Sequence, residues 1–204
     1  MWGIHPFSLE DSSALARTCR AIGATHCPYI AVAGRERHLS TIECVASAGL
    51  DGERQTFLTI LAAVKSIRTM GLPASCVIIV MKPEGSGDGS RASFGEGVDW
   101  PYWITRCAYA GRGVMIGRFG RSELERASAL PVPAAWHGWV VLRNSVPTRD
   151  PALLTKAPRS VQGALAGGSP LAVPMAWPPE NYEVSLAQFS ILRAWSADLI
   201  GGPG

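Results

Sequence analysis

Three consecutive stretches decide the fold: Leu39-Ser-Thr-Ile-Glu-Cys-Val45, the run from Asp51 to Gly71, and Ser75-Cys-Val-Ile-Ile-Val-Met81. In the first, Leu39, Thr41, Glu43 and Val45 alternate with Ser40, Ile42 and Cys44, the two-residue period of a strand. In the second, Phe57, Ile60, Leu61, Val64, Ile67 and Met70 recur at helical spacing. Asp51 can cap that helix, and Gly71 can take the left-handed position after its end. The third stretch is apolar throughout, as a strand covered on both faces requires. A strand–helix–strand unit of this kind predicts parallel strands joined by a right-handed crossover.

Working outward, residues 11–22 predict a helix with Leu15, Cys19 and Ile22 on one face and Gly23 at its end. Residues 83–98 carry Gly85, Gly87, Gly89, Gly95 and Gly97 with little apolar content, which predicts a mobile loop. Asp99 is placed to cap a helix holding Trp100, Trp103, Ile104 and Cys107, with Pro101 in its first turn and Gly111 beyond its end. Strands are expected over 112–119 and 136–142, separated by a short helix whose capping box is Ser122-Glu-Leu-Glu125. Asp150-Pro151 can start another brief helix. Proline and glycine dominate 158–179, predicting an arm on the body. Asn181 then caps a final amphipathic helix with Val184, Gln188, Ile191, Leu192, Trp195 and Leu199 facing inward. The sum is an α+β fold over residues 1–204, a single domain with a mixed sheet of four or five strands and helices packed on it.

Composition narrows the function classes. With 204 residues, 47% of them hydrophobic and 17% charged, the chain buries a full core and is not disordered. The longest apolar run, Cys76 to Met81, falls far short of the roughly 20 residues that span a bilayer. Met1-Trp-Gly-Ile-His-Pro-Phe7 lacks a basic start leading into an apolar stretch, so no secretory signal is read there. A cytoplasmic protein with no membrane partner is expected. The net charge is only +3 and the arginines are scattered without a basic stripe, which argues against nucleic acid as a partner. Five widely spaced cysteines, an odd number without a CxxC pair, fit free thiols in a reducing compartment. Cys19, Cys44, Cys76 and Cys107 read as small buried hydrophobes.

Common chemical motifs are missing. Gly85-Ser-Gly-Asp-Gly-Ser90 lacks both the lysine of a phosphate loop and the spacing of a dinucleotide fold. His5, His26, His38 and His137 form no metal-binding pattern, and there is no GxSxG nucleophile elbow. Cys27-Pro28 is the sharpest local signal. The proline pushes Cys27 out of helical geometry, so the thiol is presented rather than packed. Cys27 can then ligate haem iron as an axial thiolate, with His26 beside it to tune the sulfur or ligate instead. The plainer alternative is that Cys27 fills a gap at the entry to the sheet and Tyr29 plugs the core.

A second constellation is Leu142-Arg-Asn-Ser-Val-Pro-Thr-Arg-Asp150, where a strand ends in polar groups at the rim of an apolar sheet. Arg143 can hold a substrate carboxylate, and Asn144 and Thr148 can donate hydrogen bonds. Alternatively, Arg143 pairs with an acid and Asp150 is spent as a helix cap. Trp100, Tyr102, Trp103, Trp136 and Trp139 make a third feature, able to line a pocket for a flat ligand or simply to pack the core.

Cys27-Pro-Tyr29, Gly113-Val-Met-Ile-Gly-Arg-Phe119 and Leu142-Arg-Asn-Ser-Val-Pro-Thr148, in that order, resemble an uncharacterised, mainly actinobacterial domain-of-unknown-function family. That family is in turn distantly similar to the YqcI/YcgG group, which includes a haem-dependent enzyme hydroxylating a guanidino nitrogen. The sequence departs from the pattern where relatives tend to carry an acid and a histidine near the end of the second segment. Here stand Arg118, Phe119, Gly120 and Arg121, and Asn144 stands where relatives tend to carry histidine.

The resemblance implies a small haem-binding oxidative enzyme of secondary metabolism acting on an amino-acid-like substrate. Cys27 or His26 would be the axial ligand beside Pro28, Arg143 the carboxylate anchor, Asn144 a distal donor and Thr148 a further hydrogen-bonding group. Two alternatives stand beside it. One is a cofactor-free biosynthetic enzyme, with Cys27 as nucleophile or an aromatic pocket that templates a cyclisation. The other is a non-catalytic small-ligand-binding protein. A homodimer through the final helix is compatible with each.

Overall fold

A computed structural model describes residues 3–72, 74–84, 94–110, 112–146, 150 and 184–201 of the chain. Of the expected glycine loop over 83–98, residues 85–93 lie outside the described residues, as do the proline-glycine arm over 158–179 and Thr148. In chain order the elements are strand β1 (His5–Pro6), helices α1 (Ala14–Thr25) and α2 (Pro28–Arg35), and strand β2 (Leu39–Ala46). Helix α3 (Gly49–Met70), strand β3 (Cys76–Pro83), helix α4 (Phe94–Ala110) and strand β4 (Val114–Gly120) follow. Helix α5 (Arg121–Ser128), strand β5 (Gly138–Asn144) and helix α6 (Leu186–Gly201) complete them.

The unit β2–α3–β3 forms as the sequence predicts. β2 and β3 run parallel, with Leu39 opposite Cys76 and Ala46 opposite Pro83. Phe57, Ile60, Leu61, Val64 and Ile67 of α3 are buried, and Gly71 ends the helix in the left-handed region with φ +63°. Asp51 is not the cap. Gly49 is already helical, so Asp51 sits in the first turn, where its charge favours the helix N-terminus.

The full sheet is mixed and ordered β1-β2-β3-β5-β4. β5 pairs antiparallel with both β3 and β4, placing Arg143 opposite Cys76 on one side and Met115 on the other. The sheet separates two apolar cores. Ile42, Val77, Ile79, Ile116, Val140 and Leu142 point toward α3, α4 and α6. Leu39, Cys76, Ile78, Val80, Trp139 and Val141 point toward α1, α2 and α5. Each fully buried aliphatic or aromatic side chain among them contributes about 1.5–3 kcal/mol.

Several helix boundaries differ from the sequence reading because packing overrides local preference. Gly23 does not end α1 but lies buried inside it, where a Cβ would stand 3.1 Å from the Ala31 Cβ of α2. Its lack of a side chain lets the two helices touch. α4 starts at Phe94 rather than at Asp99, because Val98 is drawn into the larger core. Pro101 is consequently inside the helix and not in its first turn.

In α5 the capping acid is Glu123, whose carboxylate accepts from the Gly120 amide at 2.7 Å; Ser122 is already helical. In α6 the capping pair is Ser185 and Gln188. The Gln188 amide donates to the Ser185 hydroxyl at 3.1 Å and the Ser185 amide to the Gln188 side chain at 3.0 Å. Gln188 is therefore a cap rather than an inward residue. The helix turns Phe189, Leu192 and Ser196 into the core and leaves Ile191 54% exposed. Asn181 lies outside the described residues. Among the described residues, no helix is long and apolar enough to cross a membrane.

Candidate functional site

Of the residues singled out by sequence, Cys27, Tyr29 and Arg143 meet at one end of the sheet, on the α1–α2–α5 side. Backbone amides of His26 and Cys27 both donate to the Ile22 carbonyl at 2.9 Å, closing α1. Cys27 then takes extended geometry (φ −137°, ψ 82°) as the N-cap of α2, with Pro28 in the first turn. The proline acts on Cys27 as expected. What the sequence does not announce is the helix that follows. Cys27 is half-buried against the smaller core, whereas His26 is exposed with Nδ1 2.8 Å from the Thr25 hydroxyl.

Arg143 comes off β5 on the same side. Its guanidinium lies 4.0 Å from the centre of the Tyr29 ring and within electrostatic range of Cys27. A residue of α2 and one of β5, far apart in sequence, are thus brought into contact. The Tyr29 hydroxyl is buried and has no hydrogen-bond partner among the described residues.

The guanidinium fork, however, is filled from within the chain. Arg143 Nη1 and Nη2 donate to Asp150 Oδ2 and Oδ1 at 2.8 and 2.6 Å, and Asp150 Oδ2 also accepts from the Val146 amide at 2.6 Å. The two side chains are 12% and 7% exposed. Hydrogen bonds from Arg143 hold the Asp150 carboxyl below the usual carboxylate range. Asp150 is the acid that pairs Arg143, and its carboxylate is taken by this pair and the Val146 amide. Asn144 is also engaged, donating from Nδ2 to the Leu72 carbonyl at 2.5 Å.

A cleft lies on the opposite side of the sheet. Asp99, Trp100, Tyr102 and Trp103 of α4 and Arg118 of β4 line an open cavity of about 390 Å³. Asp99, Tyr102, Trp103 and Arg106 follow helical spacing, so α4 turns one face to the core and this aromatic and charged face to the cleft. Arg118 alternates with Val114 and Ile116, which face the same side of the sheet. Its guanidinium stands 5.7 Å from the Tyr102 ring centre and pairs with Asp99. Arg106 flanks the same ring at 5.7 Å and donates to the Tyr102 hydroxyl at 2.6 Å.

Trp100 forms the inner wall. Its indole N–H donates to the Ser196 hydroxyl of α6 at 3.1 Å, and its ring meets Phe189 edge-on at 5.1 Å. Unlike the Arg143–Asp150 pair, the Arg118–Asp99 side chains are 37% and 55% exposed. A pair in that setting contributes only about 0–1 kcal/mol.

Trp136 and Trp139 do not join this cleft. They pack together at 5.7 Å in the smaller core, on the other face of the sheet. The aromatic cluster read from sequence therefore divides into a lining set and a packing set. Arg118 and Asp99 are the lining residues that the sequence reading did not place at a site, and Arg118 is the one that strand periodicity could have found. The signal for Arg118 is its strand phase, which aims it at α4 and away from the Cys27 side. Among the described residues, no group of three or more His, Cys, Asp or Glu side chains is placed to hold a metal ion.

The thiols differ in burial. Burial raises Cys19, Cys44 and Cys76, and pushes Cys107 up to about 11. All four are buried and all five cysteines are free. Iodoacetamide at pH 8 is expected to alkylate Cys27 well before the others, giving a single-adduct mass that maps to the Cys27 peptide. Simultaneous labelling of several cysteines would show that the core opens on the time scale of the reaction.

Comparison of the chain with family models, with curated proteins and with solved structures found no match.

Proposed function

We propose that the protein binds a small planar molecule in the cleft between α4 and β4. The observation that carries this reading is the convergence of Trp100, Tyr102 and Trp103 with Arg118 around about 390 Å³ of open space. That volume falls in the usual range for small-molecule sites. Aromatic walls offer large apolar area at little conformational cost, and a flat ring system can stack on them. Trp100 is fixed by Ser196 and Phe189, so the inner wall is already ordered before a ligand arrives.

The test is calorimetric titration with the neutral planar probe 2-naphthamide. Saturable one-to-one binding, weakened about tenfold by Trp103→Leu, is the expected result, since one lost ring contact is worth roughly a factor of ten. Leucine keeps an apolar contact for folding, and a matching melting curve confirms an intact core. Binding that Trp103→Leu leaves unchanged, or no binding at all, overturns the reading.

A second reading, the haem-dependent oxidative enzyme, is supported by Cys27, the one half-buried thiol, standing beside Tyr29 and Arg143. The donor suits an axial ligand, and bound haem would supply the oxygen chemistry. Its neighbours fit less well, because Arg143 and Asn144 are already engaged within the chain and the cleft lies across the sheet. A Soret band that forms stoichiometrically with added haemin and shifts in Cys27→Ala would favour this reading over the first. Cys27→Ala protein with an unshifted band would remove Cys27 from it.

A further inference from the structure

We infer that the cleft selects a planar aromatic carboxylate, and that Arg118 is its anchor, released from Asp99 when the ligand binds. The inference rests on the planar-ligand reading and adds to it the charge of the ligand and the residue that reads that charge.

The argument starts from two arginines in opposite circumstances. Arg143 is the better anchor by sequence, at the end of a strand and followed by polar residues, but its fork is closed. Both terminal nitrogens are bonded to Asp150, and both side chains are almost fully buried. Opening that pair would strand a cation and a carboxylate away from water.

Arg118 is paired as well, but among the described residues its ion pair is with Asp99 alone, and it stays in contact with solvent. Asp99 also stays solvated when the pair opens, so a ligand carboxylate can take its place at little cost. The incoming group gains the planar, two-pronged match that guanidinium makes with carboxylate. An exposed ion pair at the mouth of an aromatic cleft is therefore an exchangeable contact.

Two cations stand directly against the aromatic lining. Arg106 and Arg118 flank the Tyr102 ring at equal distance, Asp99 is the one acid among the described lining residues, and Glu123, within electrostatic range of Tyr102, is engaged as the cap of α5. Once Arg118 turns to a ligand, the Tyr102 ring of the lining lies between two cations. A flat anion stacked against Trp103 or Tyr102 would have its aromatic body on the wall and its charge within reach of Arg118. A neutral ligand would gain the stacking alone, and a cationic one would meet Arg118 unfavourably. Burial raises the Tyr102 phenol above its ordinary value, so it stays neutral at physiological pH and adds no negative charge to the site.

The experiment compares 2-naphthoate with 2-naphthamide, which share a ring system and differ in charge, by calorimetry at low ionic strength. 2-Naphthoate is expected to bind about tenfold or more tightly, the usual gain from a charge-assisted pair. Arg118→Gln should abolish the difference between the two probes, bringing 2-naphthoate affinity to that of 2-naphthamide in the same variant. Asp99→Asn should tighten 2-naphthoate severalfold, because the internal competitor is gone.

Both substitutions are at exposed side chains, and melting curves report any loss of fold. Equal affinity for the two probes, or a preference for naphthoate that survives Arg118→Gln, overturns the inference while the planar-ligand reading stands. Loss of both probes' binding in wild-type protein overturns that reading too. If 2-naphthyl phosphate binds far more tightly than the carboxylate, the anchor role of Arg118 survives and the carboxylate class is overturned.

Discussion

Asp150→Asn is expected to destabilise the protein by about 3–5 kcal/mol, the usual cost of leaving one member of a buried ion pair without its partner. Arg143 would lose a carboxylate bonded to both of its terminal nitrogens, in a place where the side chain is only 12% exposed. The Val146 amide would keep an acceptor, since an asparagine oxygen can replace Asp150 Oδ2 there. The loss should therefore come from the charge and the second donor contact. Denaturant unfolding measures it directly, and the double substitution of Arg143→Met with Asp150→Leu should recover much of the loss because no stranded charge remains.

The same pair has a definite pH signature. The folded carboxyl titrates below its unfolded value, so its contribution is present above about pH 4 and disappears as pH falls through the folded value. The stability gap between wild type and Asp150→Asn should close over that acidic window and stay constant between pH 5 and 8. A cost below about 1 kcal/mol would mean that the pair behaves as a surface contact. The Arg143 fork would then be open to a ligand, and the distinction from Arg118 would collapse.

The second large effect is expected at Gly52. In an exposed helix interior, replacing glycine by alanine stabilises by about 1 kcal/mol. Here the sign should reverse. A Cβ on Gly52 would fall well inside contact distance of the Ser47 carbonyl, an atom of the backbone that cannot rotate away. The Ser47 carbonyl is also approached by α4, where a Cβ on Gly97 would stand 2.5 Å from it.

The peptide at Ser47 is thus clasped between two helices that both need glycine there. Gly52→Ala is expected to cost about 1–3 kcal/mol, the range for overpacking a close contact, with Gly97→Ala in the same direction. A thermal melt decides the question: an unchanged or higher midpoint would show that the β2–α3 turn yields without penalty.

What could be read from the sequence was what local periodicity encodes. The alternation from Leu39, the stripe from Phe57 to Ile67 and the unbroken apolar run after Ser75 each specify an element and the faces it buries. Hence the parallel pair and its helix emerged correctly. Boundaries were lost where a contact distant in sequence decides them. Gly23 looks like a terminator until Ala31 is seen against it, and Phe94 to Val98 look like loop until Val98 is placed in the core.

The two-residue strand β1 is too short for any period, and its pairing with Ser40 and Thr41 is purely tertiary. In α6 the signal was present, since Ser185 and Gln188 have capping spacing, yet the apolar pattern was read in another phase. At the sites, sequence identified the kind of residue but not its partner. The sequence places Arg143 at the end of a strand beside polar residues, but nothing local says that Asp150 closes its fork. Trp100, Tyr102 and Trp103 were grouped with Trp136 and Trp139 because one dimension cannot show that a sheet stands between them.

That intervening sheet makes Cys27 useful in a practical way. The thiol and the cleft belong to separate apolar compartments, divided by backbone and two layers of side chains. Groups so separated, with no shared partners, respond to change almost independently. A fluorophore or spin label attached at Cys27 would therefore tag the molecule from behind, leaving the opposite compartment free to be titrated as though the tag were absent.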